Sequence, residues 1–240
     1  MAKEKAKIKQ YTRPTDHLFM TIVYAFCAIA LIAILIPLIF VVAASFSSPD
    51  ALLSAKVFLW PVDFTLRGYK MVFDHDLLPL SFWNSIVYTV VGTVINLVLT
   101  VLAAYPLSRK DLAVRNPIMM LFAFTMLFNG GMIPTYLVVQ KLGLIDTYAA
   151  MLLPGAMSVF NIIIMKTSIA QIPDSLEESA RMDGAGEMTV LLRIILPLCK
   201  ATFAVIILFI AVGNWNEWFS ALLYLNDESK YPLQMVLRDI

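Results

Sequence analysis

Five apolar stretches, each long enough to cross a bilayer, run through this chain of 240 residues: about Leu18 to Phe46, Phe82 to Leu107, Pro117 to Val139, Thr147 to Met165 and Ala201 to Leu225. Roughly 20 helical residues cover the ~30 Å of hydrocarbon in a typical membrane. Lipid offers no partner to a backbone N–H or C=O, so a spanning segment must be a helix or a strand of a closed barrel. The runs lack the apolar–polar alternation of barrel strands. The chain is therefore expected to be all-α, a polytopic transmembrane helical bundle with five visible spans. Composition agrees: 60% of residues are hydrophobic and 15% charged, against roughly 45–50% and 25% in soluble domains.

The first run is too long for the apolar core of a secretory signal, and FVVAASFSSPD at its end gives only a weak small-residue cleavage site, so it is read as a retained span. A net charge of +1 argues against a nucleic-acid partner, which needs Lys and Arg gathered on one face. Cys27 and Cys199 lie in or beside apolar runs, far apart, and read as small buried hydrophobes rather than a disulfide or metal pair. His17 and His75 lack metal-ligand spacing, and no metal site is expected.

Lys and Arg accumulate in cytoplasmic loops, which orients the chain. With the N-terminus inside, twelve of the 18 basic residues fall on the cytoplasmic side, among them Lys3, Lys5, Arg109, Lys110, Arg115 and Arg181; Lys56, Arg67, Lys70, Lys141, Lys230 and Arg238 fall outside. Residues 1–17 thus form a cytoplasmic tail and 18–240 the membrane domain. The external loop from Ser47 to Ser81, with Trp60, Asp63, Asp74 and Asp76, reads equally as a docking surface or as a structured link.

The segment EESARMDGAGEMTVLLRIILPL, Glu177 to Leu198, is a polar stretch between two apolar ones, and the charge bias places it in the cytoplasm. Asp174 followed three residues later by Glu177 has the spacing of an N-cap and its capping-box partner. The helix that follows would carry Leu176, Ser179, Ala180 and Asp183 on one face and stop at Gly184, a residue suited to the left-handed conformation of a helix C-terminus. From Glu187 a second helix returns to the bilayer and meets Pro197. The expectation is a helix–turn–helix hairpin over residues 172–197. Its bland reading is an amphipathic connector lying on the headgroups.

Glu178, Ser179 and Ala180, then Gly184, then Ile194, Leu196 and Pro197 resemble the E-A-A…G…I-x-L-P loop of bacterial ABC importer permeases, with Ser179 replacing the middle alanine. ESARMDGA is similar to the carbohydrate-importer version. NGGMIPTYLVVQKLGLIDTYAAMLLPG, Asn129 to Gly155, and GNWNEWFSALLYL, Gly213 to Leu225, are similar to stretches of maltose-type permeases, and most of all to those for complex or uronate oligosaccharides. The resemblance implies a multi-pass protein of the bacterial plasma (inner) membrane. It also implies a second permease subunit forming a heterodimer, two copies of a cytoplasmic ATPase that binds ATP and Mg, and an extracytoplasmic solute-binding protein. Glu178, Ser179, Ala180, Asp183, Gly184, Ala185, Ile194, Leu196 and Pro197 would then form the ATPase-coupling hairpin. The family usually has six spans with both ends cytoplasmic, so five visible spans lead to the expectation of a chain truncated at its C-terminus.

This chain is not expected to be an enzyme: no glycine is followed by lysine, so no G-x-x-x-x-G-K-[ST] phosphate loop can be drawn, and any ATPase is a separate chain. Asn214, Trp215, Asn216, Glu217 and Trp218 place amides, two indoles and an acid inside an apolar stretch, at a cost unless they face protein or water. Trp215 and Trp218, three apart, would share a helical face on which a sugar could stack; packing against the partner permease, or anchoring at the outer interface, explains the same residues. Asn129, Gly130, Gly131 and Pro134 interrupt the third span, as a kink or as the edge of a transport path. Asn84, Asn96 and Asn161 read as interhelical hydrogen-bond partners or as solute contacts. A proton-coupled secondary transporter with Glu217 as carrier is a competing reading, as are an ABC permease for a non-sugar solute and a non-transporting scaffold.

Overall fold

The structure is a computed structural model that describes residues 14–239. The described residues are helical, without a β-strand, and packing divides the chain into two units, Met1–Asp74 and His75–Ile240.

In the first unit, helix α1 (Pro14–Ser45) is apolar on all sides from Leu18 onward; its stretch from His17 to Ser45 is long and apolar enough to cross a membrane, and Cys27 on it is exposed rather than buried. The chain then folds back on the end of this helix. The Ser47 hydroxyl donates to the Ala43 carbonyl at 2.7 Å and accepts from the Val62 N–H at 3.1 Å, while the Ser48 hydroxyl caps α2 (Pro49–Leu53). Ala43, Ala51 and Val57 form a small core, Phe46 stacks on Phe64 at 5.6 Å, and Tyr69 of α3 (Arg67–Phe73) donates to the Ser45 hydroxyl at 3.0 Å. The expected loop is therefore structured, with Trp60 left exposed.

The second unit is built around α4 (Leu78–Ser108), the other helix long and apolar enough to span. Its buried face is unusually polar: Ser81, Ser85, Tyr88, Gly92, Asn96 and Thr100 recur at helical spacing, with Asn84 beside them. Lipid tails give helices no hydrophobic reason to associate, so close approach at small residues and interhelical hydrogen bonds hold them together, at about 0.6 kcal/mol per side-chain bond. Asn96 accordingly donates to the Gly155 carbonyl at 3.0 Å. Asn84 donates to the carbonyls of Ser229 (2.8 Å) and Tyr231 (3.1 Å) and accepts from the Tyr148 hydroxyl. Of the sequence alternatives for these asparagines, the hydrogen-bonding one describes Asn84 and Asn96.

Three of the expected spans are broken in the structure. The third becomes α5 (Arg115–Leu127) and α6 (Met132–Lys141), bent by 112°. Gly131 adopts φ +89°, open to glycine at no steric cost, and its N–H donates to the Asn129 side chain at 2.9 Å in a local turn. The fourth becomes α7 (Tyr148–Leu152) and α8 (Val159–Ala170), separated by a turn through Pro154 and Gly155. The fifth becomes α12 (Lys200–Trp215) and α13 (Phe219–Tyr224). Between α8 and α12 in sequence lie α9 (Asp174–Met182), α10 (Glu187–Val190), a π turn (Leu191–Ile195) and α11 (Leu196–Leu198). A 3-10 turn (Glu228–Lys230) and α14 (Leu233–Asp239) end the described chain.

The main core joins α4, α8, α12 and the arm that returns from the polar segment. Ala104 and Leu107 of α4, Ile162 and Met165 of α8, Ile206 of α12, and Val190 and Ile195 all lie within it. The polar segment is thus anchored through its second arm, while its first arm stands at the surface.

Candidate functional site

Within the segment 172–197, helix α9, a turn and helix α10 follow one another over residues 174–190. Helix α9 ends in two backbone bonds, Gly184 N–H to the Arg181 carbonyl (3.0 Å) and Ala185 N–H to the Ala180 carbonyl (3.0 Å). This is the Schellman pattern, and it requires the φ of +83° that Gly184 adopts. A Cβ at Gly184 would meet nothing within 4 Å, so its requirement is for backbone conformation and not for room within the chain.

The start of the hairpin differs from expectation. Asp174 is the first helical residue, Pro173 stands at the N-cap, and no side chain caps the helix. The two acids have left the local backbone for longer-range cations. Lys110 Nζ lies 2.6 Å from Asp174 Oδ2 and holds that carboxyl below the ordinary range. Glu177 is buried and paired with Arg109. Each carboxylate is engaged by a cation from the end of α4, and neither is left to cap the helix.

Arg109 follows the last residue of α4, and its guanidinium joins both arms of the hairpin. It pairs with Glu177 of α9, lies 3.5 Å from Glu187 Oε2 of α10, donates to the Tyr105 hydroxyl, and sits 4.4 Å over the Tyr105 ring. Tyr105 in turn donates to Glu187 Oε2 at 2.7 Å, and Arg181 reaches Glu187 Oε1 at 2.7 Å. A cleft of about 260 Å³ lies between the α4–α5 connection and α9, with Ser108, Lys110, Asp111, Ile172 and Glu178 among its lining. In the sequence Arg109 counts only toward the charge bias, Glu187 only as the start of the second helix, and Tyr105 does not stand out. The available signal was a basic pair, Arg109 and Lys110, closing one apolar run while the polar segment carries acids.

The face expected to carry Leu176, Ser179, Ala180 and Asp183 is split. Ala180 packs against the core, whereas Leu176, Glu178, Ser179, Met182 and Asp183 are exposed and Ala185 is half-buried. Met182 is 88% exposed. Further along, Leu196 accepts the π turn: its N–H donates to the Leu191 carbonyl, five residues back. Pro197 lacks an N–H and its ring crowds the carbonyl of Arg193, so the helix widens just before it. Ile194 and Leu196 are half-buried there.

The polar segment 214–218 lies at the break between α12 and α13, not inside a continuous span. Glu217 Oε1 accepts the Ser220 N–H at 2.8 Å and so caps α13. The break takes Trp215 and Trp218 off a shared helical face: Trp215 meets Phe82 edge-on at 6.0 Å, and Trp218 carries the Arg238 guanidinium over its ring at 4.9 Å. Asn216 bonds back to the Val212 carbonyl at 2.9 Å. The buried amide nitrogen of Asn214 has no hydrogen-bond partner.

No protein-family model matches the chain. Known proteins do. The polygalacturonan/rhamnogalacturonan transport system permease protein YtcP of Bacillus subtilis is 45% identical over 225 residues, which are 94% of this chain and 79% of the relative. Protein LplC of the same organism is 48% identical over 206 residues, 86% of this chain and 70% of the relative. Among solved structures, a chain of a bacterial ABC transporter involved in the import of the acidic polysaccharide alginate superposes with a TM-score of 0.87 at 37% identity, covering 95% of this chain and 82% of that one. These similarities favour an ATP-driven importer over a proton-coupled carrier. With its apolar helices and its exposed hairpin, the chain belongs to the permeases of carbohydrate ABC importers.

Proposed function

We propose that the hairpin from Asp174 to Val190 is the site at which this permease receives the ATPase. The observation that carries the proposal is the exposure of Glu178, Ser179 and Asp183 on a short helix closed by a left-handed Gly184. Ala180, Ala185, Ile194, Leu196 and Pro197 support that shape from behind. The hairpin faces the cytoplasm in this reading, with the N-terminus on the same side. The working assembly pairs the chain with a second, different permease, two ATPase copies that hold ATP and Mg, and a solute-binding protein.

The solute is an oligosaccharide carrying uronate carboxylates. Support comes from the names of the relatives, which point to polygalacturonan, rhamnogalacturonan and alginate. The segment from Asn214 to Trp218 belongs to its path, where the helix break leaves Asn216 and Trp218 exposed amid apolar helices. Uptake of labelled oligogalacturonate against neutral maltooligosaccharide, in vesicles holding the full transporter, tests the solute class.

Gly184→Val tests the coupling site. A β-branched side chain is strained at φ +83°, and it would project from the turn that meets the partner. The variant permease should reach the membrane in near-normal amount, while the ATPase fails to co-purify or hydrolyses ATP without responding to loaded binding protein. Normal assembly, transport and stimulation would leave the hairpin a mere connector.

A further inference from the structure

A hairpin that receives force must be fixed to something that moves with it, and α9 has little apolar contact with the rest of the chain. Of its nine residues, one is buried, and that one is a carboxylate, Glu177. Arg109 is the group that meets it. Its side chain is 18% exposed and that of Glu177 10%, so both charges are largely withdrawn from water and from screening. The same guanidinium reaches Glu187 at the start of the second arm. One planar cation at the end of α4 therefore closes on both arms of the hairpin, with the Tyr105 ring beneath it and Arg181 bridging to Glu187 from α9.

We infer that Arg109 is a positioning residue that carries displacement of the coupling hairpin to α4. The inference rests on the coupling role proposed above. Two structural facts select α4 as the receiver. Its far end holds Ser229, Lys230, Tyr231 and Leu233 through Asn84, Tyr88 and Ser85. Its middle packs on α8 and α12. A shift delivered at Arg109 thus reaches both ends of the unit along a single helix. Two carboxylates on one cation require the guanidinium fork; an ammonium is a compact point charge that satisfies the same geometry less well.

The test uses the complete transporter in proteoliposomes, with ATP hydrolysis and solute uptake read together, with and without loaded binding protein. Arg109→Gln should assemble and hydrolyse ATP, but transport per ATP should fall on the order of tenfold. Arg109→Lys should recover part of that ratio, and the exchange Arg109→Glu with Glu177→Arg should recover part by restoring the opposite charges. A merely structural role would lower yield and leave the ratio of the surviving complexes unchanged. Spin labels at Met182→Cys and Leu102→Cys, in a background lacking Cys27 and Cys199, give a second readout. Their distance distribution should be narrow and shift as one on ATP binding with Arg109, and broaden in Arg109→Gln. An unchanged transport ratio and an unchanged distribution in Arg109→Gln would overturn the inference. If Gly184→Val still uncouples in that case, only the assignment of Arg109 has failed; if it too is normal, the coupling reading itself has failed.

Discussion

Gly92 of α4 and Asn214 of α12 lie so close that a Cβ added to the glycine would stand 2.7 Å from the amide nitrogen of Asn214. The nearest obstacle is a movable side chain, with Leu152 next at 3.4 Å. Gly92→Ala should therefore destabilise the permease by about 1 kcal/mol and Gly92→Leu by about 3 kcal/mol or more, as expected for overpacking. Asn214→Ala, which removes the obstacle, should restore most of the loss in Gly92→Ala. Thermal midpoints of the detergent-solubilised protein check this; equal losses in the single and double variants would refute the contact.

The hairpin and the loop after α1 should label from opposite sides. In a background without Cys27, Ser54→Cys should react with an impermeant thiol reagent added outside intact cells, and Met182→Cys only after the membrane is opened. Both positions are exposed, so failure to react reports sidedness rather than burial. Reversed labelling would overturn the orientation.

Glu217 acts on α13 as an acceptor, and an amide oxygen accepts as a carboxylate does. Glu217→Gln should keep most transport, whereas Glu217→Ala should lose the cap at about 0.5–2 kcal/mol and transport less stably. Uptake with a series of ionophores separates this from proton carriage: abolished uptake in Glu217→Gln, with lost dependence on the proton gradient, would contradict the capping role.

The turn after α13 should respond to acid and to strong base. Asp227 is drawn down to about 2 by the hydroxyl and N–H of Ser229 and then by Lys230. The N–H groups of Asp227 and Asn226 lower Asp146. Carboxylates depressed in the folded state stabilise it above their ordinary value of 3.8, and that support is lost as pH falls from there through the folded values. Lys230 is raised, chiefly by Asp227, so its support is complete below 10.5 and disappears as pH climbs through the raised value. Amide protection factors over residues 226–231 should be flat from about pH 5 to 9 and fall outside both limits. Asp146→Asn should weaken both pH responses, since it leaves Lys230 with one acidic partner in place of two.

Gly184 was legible because a glycine after a short polar helix has one common purpose, and the structure gives it the positive φ that purpose needs. Helix content was legible because hydrocarbon admits only helices and closed barrels, and the apolar runs lack the alternation of barrel strands. The breaks at Gly155 and Asn216 were not, because hydropathy averages over a window and stays high across a turn whose neighbours are all apolar. The Arg109 junction was hidden for a different reason: Arg109 and Glu187 are 78 residues apart, and local spacing suggested a capping partner for Glu177 that the fold did not use. Charged side chains near a helix start have both local and distant options, and only packing decides between them.

If the hairpin receives the ATPase as proposed above, the bend of 85° between the segment Glu187–Leu198 and α12 makes that joint a bell crank. Twelve helical residues give the shorter limb about 18 Å of reach at 1.5 Å per residue. In that reading a thrust along the limb would leave it almost at right angles to α12, so the base of α12 would be pushed sideways instead of being driven along its axis. Sideways travel at the foot of a membrane helix opens or shuts a seam with its neighbours without moving the helix in depth, and every apolar side chain on it stays level with the lipid it started in.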